Sequence, residues 1–227
     1  MLPPALDDDQ EDSLIAEQGE LPLSKLPPMP PPNYNERCSE SILGIAVVTV
    51  LVGLFVGVTH GVAVGPNVNS TNWVALLFIY AEAAIAFICL AGILFGDPGV
   101  VKRSRETCYP IPPEVAERLQ RNESLSSMSN IEVDGKVYCV RCLVWRPRSA
   151  QSRFEGVHST HHCSTCQRCV VDFDHHCGVF GRCIAGKGLS GNMKYFTTII
   201  TMAVLGMVTC LVPTLMSVAE KSERGGG

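Results

Sequence analysis

The amino end has no basic start and no short apolar core, so a cleavable signal peptide is not expected. Aromatic residues are scarce over residues 1–40, where Pro, Asp and Glu dominate. Such a stretch buries too little apolar surface to offset its ordering entropy, and a disordered cytosolic tail is expected over 1–41. No solenoid-type repeat runs through the chain. The 11 cysteines are an odd number, which excludes complete disulfide pairing within one chain. Lys and Arg are missing from residues 65–72.

What the chain does have is three long apolar runs. Residues 42–64 are apolar apart from Thr49, Thr59 and His60, and residues 73–95 are interrupted only by Glu82. The third run extends from about Tyr195 to Val218 and contains Pro213. About 20 apolar residues cross a bilayer as a helix, and proline is tolerated there because neighbouring groups satisfy the freed carbonyl. Transmembrane helices are therefore expected over 42–64, 73–96 and 195–219, with a short tail at 220–227. The fold class is membrane all-α: three transmembrane helices carrying a loop-rich, cysteine-rich domain.

The net charge of −4 conceals a split. Residues 1–41 hold nine acids and two bases, whereas residues 97–195 hold fourteen bases and ten acids. Lys102, Arg103 and Arg105 follow the second run directly. Positive residues favour the cytosolic side, so 97–194 and the amino tail are expected in the cytosol and the 65–72 loop in the lumen or outside. Asn69-Ser70-Thr71 matches a glycosylation sequon, but its closeness to both spans predicts that it stays unused. Three spans would leave the carboxyl end outside. The chain stops soon after the third, an abrupt ending that suggests a fragment.

Residues 97–136 read as a cytosolic connector with a short helix over 113–122 and a serine-rich stretch over 124–130. Chemistry concentrates in residues 137–194. Seven cysteines lie between Cys139 and Cys183, interleaved with His161, His162, His175 and His176. A C-x-x-C turn aims two thiolates at one tetrahedral ion, and the segment holds Cys139/Cys142, Cys163/Cys166 and Cys169 at the same spacing. A disulfide framework would not need the histidines, and the polar neighbours argue against buried free thiols. Zinc binding in a reducing compartment is expected. Two closed sites need eight ligands, so some Cys or His is left over for chemistry; spacing alone does not say which.

Asp174-His175-His176-Cys177, set in this cysteine-rich segment between apolar spans, resembles the DHHC-type protein S-acyltransferases. The wider match runs from Cys139-x-x-Cys142 through His161-His162-Cys163-x-x-Cys166-x-x-Cys169 to Cys183. Asp97-Pro98-Gly99 matches the family's DPG motif, and Asn192-x-x-x-Phe196 its entry into the next span. The resemblance implies two structural zinc ions, one on Cys139, Cys142, His162 and Cys169, the other on Cys163, Cys166, His176 and Cys183. It leaves Cys177 as nucleophile, His175 as general base and Asp174 as the acid that orients the imidazole. It implies a two-step palmitoyl transfer, from acyl-CoA to Cys177 and then to a juxtamembrane cysteine of a substrate protein, with the spans cradling the acyl chain. Lys102, Arg103 and Arg105 are candidates for CoA phosphates or for anionic lipid. An endomembrane or plasma-membrane location follows, and no nucleic-acid partner.

This chain departs from the family in several places. Gly178-Val179 stands where Pro-Trp is usual, and Gly181-Arg182 where Asn often precedes the last zinc cysteine. The loops from Cys142 to His161 and from Cys183 to Asn192 are longer than usual. A further span with a Thr-Thr-x-Glu motif normally follows the third. A membrane-anchored zinc scaffold without catalysis is the alternative. A RING-like ubiquitin ligase explains neither the tetrapeptide nor Asp97-Pro98-Gly99. Pro31-Pro32-Asn33-Tyr34 matches a PPxY docking site for WW domains. Glu82 is expected to face the bundle and meet His60 or a threonine. Cys38 and Cys108 are candidate juxtamembrane acylation sites, and Cys89 and Cys210 packing residues.

Overall fold

The computed structural model describes Asp12 and residues 21–63, 70–147, 160–187 and 190–225. They fall into two compact units, Met1–Tyr34 with Pro98–His175 and Asn35–Asp97 with His176–Gly227.

The second unit is built on three long helices, α1 (Tyr34–Ala63), α2 (Ser70–Phe95) and α5 (Met193–Gly225). Each contains a stretch long and apolar enough to cross a membrane. Large apolar side chains such as Leu54, Leu77, Ile88 and Leu215 point outward, as lipid-facing helix surfaces require. α2 packs most extensively on α5. All three apolar runs are helical over their described residues, with α1 starting at Tyr34 rather than at residue 42. Most of the 65–72 loop, Asn69 included, lies outside the described residues. Within the unit, Thr209 Oγ1 donates to Glu82 Oε1 at 2.9 Å. His60 instead pairs with the Tyr80 hydroxyl at 3.1 Å. A threonine therefore takes the intramembrane acid, one of the two partners expected.

The first unit contains α3 (Arg105–Cys108), α4 (Pro113–Gln120) and an antiparallel sheet β1 (Ile131–Val133), β2 (Lys136–Cys139), β3 (Val144–Trp145). β4 (His161–Cys163) and β5 (Arg168–Val170) form a second hairpin. The chain crosses into the second unit within a third hairpin, β6 (Phe173–Cys177) with β7 (Arg182–Ala185), and β7 belongs to that second unit. The connector is more than a tether. Val101, Cys108, Ile111 and Val115 enter one core with Tyr138, Leu143 and Val144 around Cys139, Cys142 and Cys169. Cys108 is fully buried there, which corrects its reading as an accessible acylation site; Cys38 is exposed.

The expectation of disorder over 1–41 is corrected for residues 21–33 and for α1. Asp12 accepts from the Leu23 and Ser24 amides at 2.7 and 3.4 Å, capping the 3-10 turn Leu23–Lys25. Arg103 Nη1 donates to the Pro27 carbonyl at 2.7 Å and Arg168 Nη1 to that of Pro30 at 2.8 Å. The Asn33 amide donates to the Thr165 carbonyl at 2.9 Å. Proline-rich backbone is pre-extended, with its carbonyls unclaimed by local structure. Such a segment has no core of its own, yet it lies down on another when arginines meet its carbonyls.

Candidate metal centre and thiol site

Strand register brings the first ligand set together. In the β4–β5 hairpin His162 lies opposite Cys169. Cys139 ends β2, and the turn closed by the Leu143 amide on the Cys139 carbonyl, 2.7 Å, presents Cys142. The four ligand atoms of Cys139, Cys142, His162 and Cys169 all lie within 4.8 Å of one another, and all four residues are buried. His162 Nδ1 faces the sulfurs of Cys142 at 3.2 Å, Cys139 at 3.6 Å and Cys169 at 4.0 Å. Its Nε2 is buried without a hydrogen-bond partner among the described residues. Three soft sulfurs and one imidazole nitrogen at this spacing suit zinc in a closed, structural coordination.

Electrostatics show how tightly the set is coupled. Hydrogen bonds from the Cys142 and Cys169 thiols hold the Cys139 thiol far below its usual range. Cys169 is pushed up by its hydrogen bonds with Cys139 and Cys142 and by burial. Burial lowers the His162 imidazole, but Cys139 and Cys142 push it up further, to about 9. Without a cation the cluster shares protons; a metal must displace them.

The other expected ligands occur as two halves, one in each unit. Cys163 and Cys166 sit at the β4–β5 turn, where the Cys166 amide points at Cys163 Sγ from 3.4 Å. In the second unit His176 Nδ1 lies 3.8 Å from Cys183 Sγ, and its Nε2 lies 3.0 Å from Glu40 Oε2. Sequence reading missed Glu40; its one signal is an acid placed just before an apolar run.

Asp174 and His175 form a pair, Oδ2 to Nδ1 at 2.8 Å. Donation from Nδ1 leaves Nε2 as the basic nitrogen. Cys177 is buried, 8% exposed, within an apolar cluster that includes Val48, Ala86, Phe180 and Ile199. Val48, Ala86 and Ile199 also line a cavity of about 50 Å³ between the three long helices. His161, which belongs to neither ligand set, is exposed and stacks on Phe173 at 5.0 Å between ring centroids.

Two motifs have structural roles. Gly99, at φ +102°, turns the chain so that its carbonyl accepts from the Val171 amide at 2.9 Å, and the Val101 amide donates to Cys169 O at 2.8 Å. Residues 99–101 thus brace the strand that carries Cys169. Asn192, 1% exposed, donates to Cys183 O at 2.8 Å and accepts from the Ala185 amide at 2.9 Å. Phe196 meets Phe180 edge-on at 6.4 Å. Arg182 Nε donates to Leu94 O at 2.9 Å, occupying a terminal carbonyl of α2. Arg103 also donates Nε to Cys142 O at 2.9 Å. Its guanidinium thus serves the ligand turn and the proline segment rather than an outside phosphate.

Three helices long and apolar enough to cross a membrane, with cysteine-histidine groups that could hold metal ions in the sequence between the second and third, define the class of this chain. Residues 132–225 match the family model described as DHHC palmitoyltransferase. It is 28% identical over 134 residues to palmitoyltransferase Hip14 of Drosophila melanogaster, covering 59% of this chain and 18% of that relative. It is 29% identical over 138 residues to a probable protein S-acyltransferase 6 of Arabidopsis thaliana, covering 56% of this chain and 30% of the relative. With palmitoyltransferase ERF2 of Kluyveromyces lactis identity is 28% over 160 residues, 66% of this chain and 38% of the relative. The chain thus spans well under half the length of these curated relatives.

Proposed function

We propose that this chain carries the acyl-transfer centre of a protein S-palmitoyltransferase, with Cys177 as the acyl carrier. The observation that carries the reading is the burial of Cys177 in the apolar cluster whose Val48, Ala86 and Ile199 line the intramembrane cavity. A thiol packed in one apolar cluster with residues of the long helices suits a donor with a reactive head and a long hydrocarbon tail.

The chemistry uses few groups. In a strand alternate side chains share a face, which gives His175 and Cys177 one face of β6 and His176 the other. His175 Nε2, with Nδ1 held by Asp174, takes the Cys177 proton. The thiolate attacks the thioester carbonyl of palmitoyl-CoA; the new C–S bond forms as the CoA sulfur leaves and is protonated by the imidazolium. In the second half, a cysteine of a substrate protein gives its proton to His175, attacks the acyl carbonyl and releases Cys177 as thiol. The balance closes with no further reactant, and kinetics are ping-pong.

The resemblance assigns Cys163, Cys166, His176 and Cys183 as the residues that would hold a second structural zinc, alongside Cys139, Cys142, His162 and Cys169 for the first. Zinc held by four protein ligands would cross-link loops rather than supply a reactive water, since no position would be left open. The zinc module faces the cytosol of an endomembrane or the plasma membrane, following Lys102, Arg103 and Arg105. Pro31, Pro32 and Tyr34 of the PPxY segment are the residues proposed to meet a WW domain; Pro31 and Tyr34 are exposed, Tyr34 at 67%.

The test is transfer of labelled palmitate from palmitoyl-CoA to a cysteine peptide by the detergent-purified chain. Parallel double-reciprocal lines, with transfer lost in Cys177→Ser, support the reading. A folded, zinc-loaded chain that transfers nothing supports the non-catalytic zinc scaffold instead.

A further inference from the structure

Glu40 lies near the amino end of α1. Its Oε2 is 3.0 Å from His176 Nε2, with side-chain exposures of 19% and 15%. The opposite ring nitrogen, Nδ1, faces Cys183 Sγ at 3.8 Å. An imidazole that gives its Nε2 proton to a carboxylate has its tautomer and ring plane fixed, with Nδ1 as the nitrogen that can ligate a metal.

The same helix end grips the turn that follows the tetrapeptide. Ser41 Oγ donates to Phe180 O at 2.9 Å, and Arg37 Nε to Gly181 O at 3.3 Å. Backbone closeness makes this grip possible. Gly181 has φ +63°, and a Cβ there would lie 2.2 Å from Arg37 O. A Cβ on Gly44 would lie 2.6 Å from Phe180 Cδ1, and one on Gly178 would lie 3.3 Å from Glu40 Oε1. Gly178 stands where the resembling family carries Pro, so the departure leaves room for the carboxylate.

We propose that Glu40 is a positioning residue: it orients His176 as a metal ligand and, through the adjoining backbone, sets the pose of Cys177. Rather than displacing Cys177, the glycine-bearing turn is held by the first membrane helix. The proposal rests on the reading of His176 and Cys183 as zinc ligands.

The test uses the full chain in nanodiscs, with Glu40→Ala, Glu40→Gln and Gly178→Ala. The readouts are zinc stoichiometry, chelator-driven zinc release, and the ligand-field spectrum after cobalt substitution. Removing an outer carboxylate partner typically weakens metal affinity ~10–100-fold. Glu40→Ala is therefore expected to release one of two zincs at least tenfold faster and to shift the cobalt bands, with the other zinc unchanged. Glu40→Gln, which keeps an acceptor, recovers most of the release rate. Gly178→Ala, which crowds the carboxylate, moves release in the same direction as Glu40→Ala. In acyl-enzyme formation Glu40→Ala lowers kcat with little change in KM for palmitoyl-CoA. Two zincs in the wild type with wild-type release and spectrum in Glu40→Ala would overturn the proposal alone. A single zinc in the wild type would overturn the ligand reading beneath it.

Discussion

Asn192 Nδ2 donates to the Cys183 carbonyl at 2.8 Å, tying a proposed zinc ligand to the start of the third long helix. The same side chain accepts from the Ala185 amide, and it is almost fully buried. Asn192→Leu would orphan both backbone groups, at ~1–3 kcal/mol each. The expected result is a clear fall in thermal stability of the detergent-solubilised chain, with weaker retention of one zinc. Asn192→Asp, which keeps the acceptor and loses the donor, should fall between the two. Calorimetry with metal analysis checks both.

Cys139→Ser removes a ligand from the set of Cys139, Cys142, His162 and Cys169. The zinc content of the purified chain is expected to drop from two to one. The first unit should become protease-sensitive, because the residues around this set form its core. Mass spectrometry under native conditions reads the stoichiometry. An unchanged count of two would contradict the assignment.

Protons compete with the metal at this set, and the sign can be worked out from His162. In the ion-free chain its imidazole is lowered by burial but raised further by Cys139 and Cys142, to about 9 against an ordinary 6.5. The protonated contact stabilises the ion-free fold fully below about 6.5, and that contribution is lost as pH rises through about 9. Zinc binding must expel this proton, so affinity runs the opposite way and climbs between about pH 6.5 and 9. Competition with a chromophoric chelator across that range checks the slope. A flat profile would show that His162 gives up no proton to the metal.

Ala86 lines the intramembrane cavity and belongs to the apolar cluster around Cys177. Ala86→Phe is expected to fill the cavity. Palmitoyl-CoA should then react more slowly with Cys177, while a short donor such as octanoyl-CoA is largely spared. Competition between the two donors, read by mass on the acylated protein, reports the change. Equal loss for both would indicate a general packing defect instead.

The three helices and the ligand types are legible in the amino-acid sequence, through the apolar runs and the C-x-x-C spacings. Periodic or tightly spaced chemistry is written locally, so Cys139, Cys142, His162 and Cys169 follow from spacing and family resemblance together. Residues that act through distant docking are hidden. The proline-rich stretch has no core of its own, and nothing local announces that Arg103 and Arg168 take the carbonyls of Pro27 and Pro30. The connector reads as polar because Val101, Ile111 and Val115 are scattered among charges; only tertiary packing gathers them. Glu40 is invisible for the same reason, since its partner His176 lies far along the chain.

The central claim is a thioester on Cys177. The direct measurement is the mass of the nanodisc-embedded chain after brief mixing with palmitoyl-CoA, followed by peptide mapping. The account predicts one palmitoyl adduct, located on the peptide containing Cys177, removed by neutral hydroxylamine and missing from Cys177→Ser. A zinc-loaded, folded chain that stays unmodified, or carries its adduct only on exposed Cys38, would contradict it.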